Sequence, residues 1–142
     1  MKNRIIICLF FLAALLSACG KASLQQYSEK ELDGVQLVIT KTEEGSISYK
    51  LSCDETVDTL TTGNSQDAVI EKWVNNEWRQ LEAKEGFAWT MEAYEIKAPN
   101  CFEGSLAVSE KYGELAPGRY RLLKAFTAPG GSFSAKAEFE QK

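Results

Sequence analysis

The sequence predicts an all-β protein that folds as a two-sheet antiparallel sandwich of seven to nine strands. Apolar and polar side chains alternate along short segments, most cleanly over residues 46–53, as expected of strands with one buried and one solvated face. Turn-forming residues such as Asn75-Asn76 and Pro117-Gly118 separate these segments about every ten residues. No segment has convincing helical periodicity, so two stacked sheets are the arrangement that buries the apolar faces.

Eight strands are predicted from these patterns. One sheet is expected to contain, in spatial order, residues 35–40, 46–53, 104–109 and 90–97. The other is expected to contain residues 77–81, 68–74, 119–127 and 132–140, about 10 Å from the first. Residues 54–67 are predicted to form a long polar loop, and either Trp73 or Trp78 is predicted to fill the core.

The first 18 residues have the organisation of an export signal. Lys2 and Arg4 form a basic start, and residues 5–16 form an apolar stretch too short to span a bilayer. Leu16-Ser17-Ala18-Cys19 then matches a bacterial lipobox, in which cleavage before the cysteine is coupled to its lipidation. We therefore predict a lipoprotein whose Cys19 lipid holds it on the extracytoplasmic face of the bacterial cell membrane. The alternative is a plain secretory signal with an accidental cysteine.

Cleavage would leave 142 − 18 = 124 residues, divided into a lipidated, flexible tether over 19–33 and one domain over 34–142. Loss of Lys2 and Arg4 lowers the basic count from 16 to 14 against 20 acidic residues, so the net charge moves from −4 to −6. This charge disfavours binding to nucleic acid and to anionic lipid headgroups. Attachment to the membrane is therefore expected through the lipid alone.

The segment from Leu115 to Tyr120 predicts a corner followed by a strand. Pro117 fixes φ near −65° for the first central position of a type II turn, and Gly118 supplies the positive φ of the second. The order Leu-x-Pro-Gly-x-Tyr resembles the tyrosine corner of β-sandwiches, in which the Tyr hydroxyl bonds to the backbone a few residues upstream. On that interpretation Tyr120 bonds to a group near Leu115 or Glu114; the alternative is an ordinary turn.

The longer segment from Tyr112 to Phe126 resembles a Gram-positive bacterial immunoglobulin-like domain family with the signature Tyr-Gly-x-Leu-x-x-Gly-x-Tyr-Arg. Residues 70–73, Ile-Glu-Lys-Trp, followed by Trp78, resemble a strand pair of the same family. The resemblance implies an immunoglobulin-like sandwich. It implies no catalytic residues, because sandwiches of this kind have many functions.

Cys53 and Cys101 are the two cysteines left after Cys8 leaves with the signal and Cys19 takes the lipid. In an exported protein a leftover pair favours a disulfide over a metal site or a redox pair. The two residues lie at one end of two strands that are expected to be neighbours. We predict a Cys53–Cys101 disulfide on that placement.

The sequence offers little for catalysis. Histidine is absent, which excludes a Ser-His-Asp triad and any zinc site with a histidine ligand. The acidic residues Asp54, Glu55 and Asp58 fit no calcium-loop spacing, so a solvated loop is expected rather than a metal site. The three tryptophans, Trp73, Trp78 and Trp89, are candidates for a sugar-stacking surface, although packing is expected for at least two. No cofactor and no enzymatic activity are predicted.

Two functions remain open. The first is a lipid-anchored, non-catalytic binding or adhesion module for an unidentified protein or glycan. The second is an inhibitor of a secreted hydrolase such as lysozyme, because small all-β lipoproteins with one disulfide include such inhibitors and an acidic domain would attract a basic enzyme.

Overall fold

The computed structural model describes residues 24–142, and the predictions for the signal segment 1–18 and for Cys19 lie outside them. Nine strands and one short helix form within these residues. The elements are β1 Val35–Glu43, β2 Ser46–Cys53, β3 Thr59–Gly63, β4 Val69–Val74, β5 Glu77–Gln80, β6 Ala93–Lys97, β7 Cys101–Leu106, α1 Val108–Tyr112, β8 Gly118–Ala128 and β9 Gly131–Gln141. Within the described range, no helix is long and apolar enough to cross a bilayer.

The strands form two antiparallel sheets, which confirms the predicted sandwich. The smaller sheet has the order β1-β2-β7. The larger sheet is centred on β8, whose full length pairs with β9 on one edge. The other edge of β8 pairs first with β4 and then with β3, and β5 and β6 extend the sheet beyond those two strands.

The predicted pairing of residues 90–97 with 104–109 is wrong. Residues 93–97 form β6, which pairs with β3 in the other sheet, with Leu60 opposite Ile96. β3 itself lies inside the segment predicted as a polar loop. Its residues Thr59–Gly63 alternate inward and outward, and Leu60 and Thr62 are buried. A single leucine among threonines gave too weak an apolar pattern for the strand to be predicted, although β-branched threonine favours strands.

The core fills the space between the sheets, and no tryptophan belongs to it. The largest fully buried aromatic side chains are Tyr49 and Tyr120. Trp73 and Trp78 instead face each other across β4 and β5, with ring centroids 5.1 Å apart. Glu71 and Trp73 alternate with the buried Ile70, which places them on the outer face of the sheet. The prediction of a core tryptophan is therefore wrong.

Part of the segment predicted as a flexible tether packs against the domain. The Ser134 backbone N–H donates to the Lys30 carbonyl over 2.8 Å, so the segment runs beside β9. The Gln25 side-chain amide donates to the Asp67 carboxylate over 2.6 Å, and Leu32 packs against the core. The packed part of the chain therefore includes residues 25–32 as well as the predicted domain.

The predicted Cys53–Cys101 disulfide is not formed, and both cysteines are free thiols. Cys101 stands opposite Ser52 in the β2–β7 pair, one position before Cys53. Cys53 points into the core, and Ser52, its neighbour along the strand, points outward. The register therefore puts the two thiols on opposite faces of the sheet, because side chains alternate along a strand. The sequence correctly predicted that the two cysteines lie at one end of neighbouring strands. The observed register pairs Cys101 with Ser52 rather than with Cys53.

We expect the two thiols to differ strongly in reactivity. Cys53 is 6% exposed and its pKa is raised, first by burial and then by the nearby Asp54 carboxylate. Cys101 is half-buried on the outer face. Iodoacetamide labelling of native residues 20–142 should therefore modify Cys101 at least about tenfold faster than Cys53, as mass spectrometry of peptides can measure. Recovery of a cross-linked Cys53–Cys101 peptide from unreduced protein would contradict the structure.

Tyr120 occupies a corner geometry at the start of β8. Its side chain is 2% exposed, and its hydroxyl donates to the Ala116 carbonyl over 2.6 Å. The acceptor lies one residue beyond the expected Leu115, which packs against the core. Gly118 has φ of +156° as the first residue of β8, not the value near +80° of a type II turn. A side chain at Gly118 would also meet the aliphatic end of Lys72 at 3.2 Å.

Tyr120→Phe should lower the free energy of unfolding by about 1–3 kcal/mol, because the Ala116 carbonyl would lose its buried donor. Tyr94→Phe is the matched control. Its hydroxyl bonds to Glu92 at an exposed site, so the change should be within about 0.5 kcal/mol. Urea unfolding followed by fluorescence measures both. Equal effects from the two substitutions would show that the corner bond contributes nothing to stability.

Candidate functional site

The connection between β5 and β6, residues 81–92, has no regular secondary structure and spans the gap between the β4–β5 and β3–β6 pairs, beside the middle of β8. Its backbone is held at both sides: the Leu81 N–H donates to the Ile70 carbonyl over 2.9 Å, and the Lys84 N–H donates to the Lys111 carbonyl over 2.7 Å. An open cavity of about 710 Å³ lies between this connection, the N-terminal residues 24–25 and α1. We call it the loop groove.

Aromatic rings surround an ammonium group at the wall of the loop groove. The Nζ atom of Lys111 lies 4.4 Å from the ring centroid of Trp89 and 5.5 Å from those of Phe87 and Tyr112. Lys111 is only 1% exposed, and its Nζ donates to the carbonyls of Gln66 and Ala68 over 3.1 and 2.6 Å. The lysine therefore fixes the three rings of the groove to the backbone of the β3–β4 connection.

A second buried lysine holds the same connection from inside the sandwich. Lys124 is fully buried on β8, and its Nζ donates to the carbonyls of Gly63, Asn64 and Asp67 over 3.0, 2.6 and 2.7 Å. Burial lowers the pKa of both lysines to about 8, although the charge of Asp67 opposes that shift. Five backbone carbonyls of residues 63–68 thus receive hydrogen bonds from two ammonium groups.

Buried tyrosines complete the wall behind the loop groove. The Tyr49 hydroxyl donates to the Ser65 carbonyl over 2.9 Å, and the Tyr112 hydroxyl accepts from the Ile70 N–H over 3.2 Å. Burial raises the pKa of Tyr112 to about 12 and raises those of Tyr27 and Tyr49 as well. All three phenols are therefore neutral at physiological pH, and those of Tyr49 and Tyr112 are hydrogen-bonded. A rigid wall of this kind suits binding rather than proton transfer.

On the outer face of β4, β5 and β8, the tryptophans pack against arginine side chains instead of lining a cavity. The guanidinium of Arg119 lies 5.4 and 5.3 Å from the ring centroids of Trp73 and Trp78, and that of Arg121 lies 4.6 Å from Trp78. Arg121 also forms a half-buried ion pair with Glu71. These rings stack on the chain's own arginines. Of the three tryptophans considered for sugar stacking, Trp89 is the one that lines the loop groove.

The sequence profile of the bacterial Ig-like domain family matches residues 22–140. The chain belongs to this family. No curated protein matches the chain. The match begins before the predicted domain boundary at residue 34, in agreement with the packing of residues 25–32 on this Ig-like domain.

The acidic residues after β2 of this Ig-like domain form a turn of their own. The Asp54 carboxylate accepts from the Thr56 N–H over 2.9 Å and from the Thr56 hydroxyl, and these bonds lower its pKa. Asp54, Glu55 and Asp58 are all exposed. Among residues 24–142, no three acidic, cysteine or histidine side chains come together as a set of metal ligands.

Sequence reasoning missed both lysines of this site. The burial of Lys124 could have been predicted, because it occupies an inward position in a strand that is otherwise apolar. A charged residue at such a position needs a buried hydrogen-bond partner. The burial of Lys111 could not, because it was expected in a loop and its burial depends on the fold of residues 81–92. The loop groove itself could not be predicted, since its walls come from three separate parts of the chain.

Proposed function

We propose that this protein is a lipid-anchored, extracytoplasmic and non-catalytic binding module, and that the loop groove is its ligand-binding surface. The observation that carries the proposal is the pair of half-buried rings, Phe87 and Trp89, in an open cavity of about 710 Å³. Loops held by a rigid sheet at both sides are common positions for binding residues, since the strands fix where each loop begins and ends.

A saccharide is the ligand class that fits this groove. Aromatic rings offer flat apolar faces for the C–H groups of a sugar ring. The side chains of Gln80, Glu82 and Lys84 also line the groove and supply acceptors and donors for hydroxyl groups. A protein ligand would use the same surface, and the experiment below separates the two.

Trp89→Ala should abolish binding of soluble oligosaccharides to residues 20–142, because the substitution removes the largest ring of the groove. The measurement is titration calorimetry with muramidase-digested peptidoglycan and with a panel of neutral oligosaccharides. Trp73→Ala, outside the groove, should bind as the unaltered domain does. Equal weakening by both substitutions, or no binding of any of these saccharides to the unaltered domain, would contradict a saccharide site in the groove.

The lipid anchor is tested separately by the mass of the mature protein. We expect protein extracted from membranes to begin at an acylated Cys19, since the basic start, apolar stretch and lipobox occur in the correct order. Retention of Lys2 and Arg4 in mature protein from wild-type cells would contradict this expectation.

Inhibition of lysozyme is the alternative that the mature charge of −6, 14 basic against 20 acidic residues, continues to favour. The free cysteines remove one feature that this domain was expected to share with such inhibitors. Lysozyme that keeps full activity with an excess of residues 20–142 would exclude the alternative.

A further inference from the structure

We propose that the side of the Ig-like domain that carries the loop groove lies against the surface of the bilayer. This inference rests on the proposed lipid anchor and adds an orientation to it. The partner of this surface is the membrane in which the Cys19 lipid is inserted, and no second protein is required.

The length of the chain between lipid and domain restricts the orientation. Only residues 20–23 separate Cys19 from Leu24, where the described structure begins. Five extended steps from Cys19 to Leu24 span at most about 18 Å. The point at which the chain joins the domain must therefore stay within that distance of the lipid, whereas a tether extending to residue 33 would leave the domain free to rotate.

Leu24 lies at the loop groove. It lines the groove together with Phe87 and Trp89. Gln25, the next residue, lines a smaller cavity of about 240 Å³ together with Trp89 and Met91. The short connection to the lipid therefore leads directly to the side of the domain that carries the groove.

The same side of the domain has an apolar rim, formed by Leu24, Phe87, Trp89 and Met91. Met91 is 97% exposed and Leu24 is 53% exposed, the two highest values among the large apolar side chains of the described residues. Tryptophan and other amphipathic or apolar side chains favour the headgroup level of a bilayer. Exposed apolar side chains on the anchored side would gain contact with lipid once the anchor is inserted.

Electrostatic attraction does not contribute to this contact. The exposed charged residues near the rim are Glu82, Glu85 and Glu92, against Lys84. A rim of this charge is repelled by anionic lipids. Contact with the bilayer therefore depends on the short tether and the lipid, and the unlipidated domain should not bind vesicles.

This orientation narrows the ligand class for the loop groove. A groove held at the membrane surface would be within reach of saccharides attached to membrane-anchored molecules. Saccharide polymers at a greater distance from the membrane would be less accessible to it. Trp73 and Trp78 serve as an internal reference outside the groove. Trp73 lies four residues from Val69 along β4, about 13 Å, and Trp78 lies two residues from Gln80 along β5, about 7 Å.

The test measures quenching of tryptophan fluorescence in full-length lipidated protein. The protein is reconstituted in phosphatidylcholine vesicles that carry spin-labelled headgroups. A variant with Trp73→Phe and Trp78→Phe reports Trp89 alone, and Trp89→Phe reports the other two. We expect quenching of Trp89 to be several-fold stronger than that of the pair. A flexible Gly-Ser insertion of about 20 residues after Ala22 should remove most of the difference.

The outcomes separate the orientation from the anchor. Protein that floats with vesicles but shows equal quenching of Trp89 and the pair would overturn the orientation and leave the anchor intact. Protein that neither floats nor carries an acyl chain on Cys19 would overturn both. If the double variant fails to fold, the spacer insertion is made in the natural sequence and total tryptophan quenching is measured. The orientation predicts that this quenching falls when the tether is lengthened, and unchanged quenching would overturn it.

Discussion

Lys124→Met is expected to lower the free energy of unfolding by about 3 kcal/mol or more. The substitution keeps most of the apolar stem but removes the donor to the carbonyls of Gly63, Asn64 and Asp67. A buried carbonyl without a donor costs about 1–3 kcal/mol, so several at once exceed the gain from no longer burying a charge. The side chain is fully buried, so water cannot replace the ammonium without opening the sandwich.

Lys97→Met is the matched control for this substitution. Lys97 is exposed on β6 and its removal should change the free energy of unfolding by no more than about 0.5 kcal/mol. Urea unfolding at neutral pH measures both variants. A Lys124→Met domain as stable as the control would mean that the β3–β4 connection rearranges to satisfy its own carbonyls.

The stability of the domain is expected to rise between pH about 8 and pH about 10, above the range in which most proteins are most stable. The pKa values of Lys111 and Lys124 fall from 10.5 to about 8 in the folded state, chiefly through burial. Between these values the unfolded chain binds more protons than the folded one, so raising the pH favours folding. Each lysine should contribute up to about 2 kcal/mol between pH about 8 and about 10.

Buried tyrosines limit this rise in stability at the upper end of the pH range. Tyr112 has its pKa raised from 10.0 to about 12, so above pH 10 the unfolded chain loses phenolic protons that the folded chain keeps. That difference favours unfolding, and stability should pass through a maximum near pH 10. The buried Cys53 thiol acts in the same direction as the tyrosines.

Comparison with the single variants Lys111→Met and Lys124→Met isolates the lysine contribution, because tyrosine and cysteine contributions cancel in the difference. Each variant should lose about half of the rise, as chemical denaturation at a series of pH values can measure. Parallel pH profiles for the natural domain and both variants would contradict the depressed lysine pKa values.

The sequence by itself determined the strands with a strong apolar pattern on both sides of the sandwich. The alternation over residues 46–53 and the apolar run around Tyr120 needed no knowledge of the rest of the chain, because burial of one face dictates a period of two. The corner before β8 was also local, since Pro117 and Tyr120 lie within one turn of each other. The Tyr120 hydroxyl bonds to Ala116, one residue beyond the predicted Leu115. The sequence pattern predicts the corner, but the exact acceptor depends on the backbone conformation of the turn.

Only the tertiary structure decided the register and the partners of weak strands. β3 forms because β8 and β6 offer it backbone partners on both sides, and its own sequence has little apolar character. A shift of one residue between β2 and β7 was enough to place Cys53 and Cys101 on opposite faces. The loop groove, likewise, depends on contact between residues 81–92, α1 and residues 24–25 at the side of the larger sheet. Sequence patterns indicate which face of each strand is buried. Contacts between distant segments depend instead on long-range packing and on buried polar groups. Lys124 is an example, because its hydrogen-bond partners are backbone carbonyls of the β3–β4 connection.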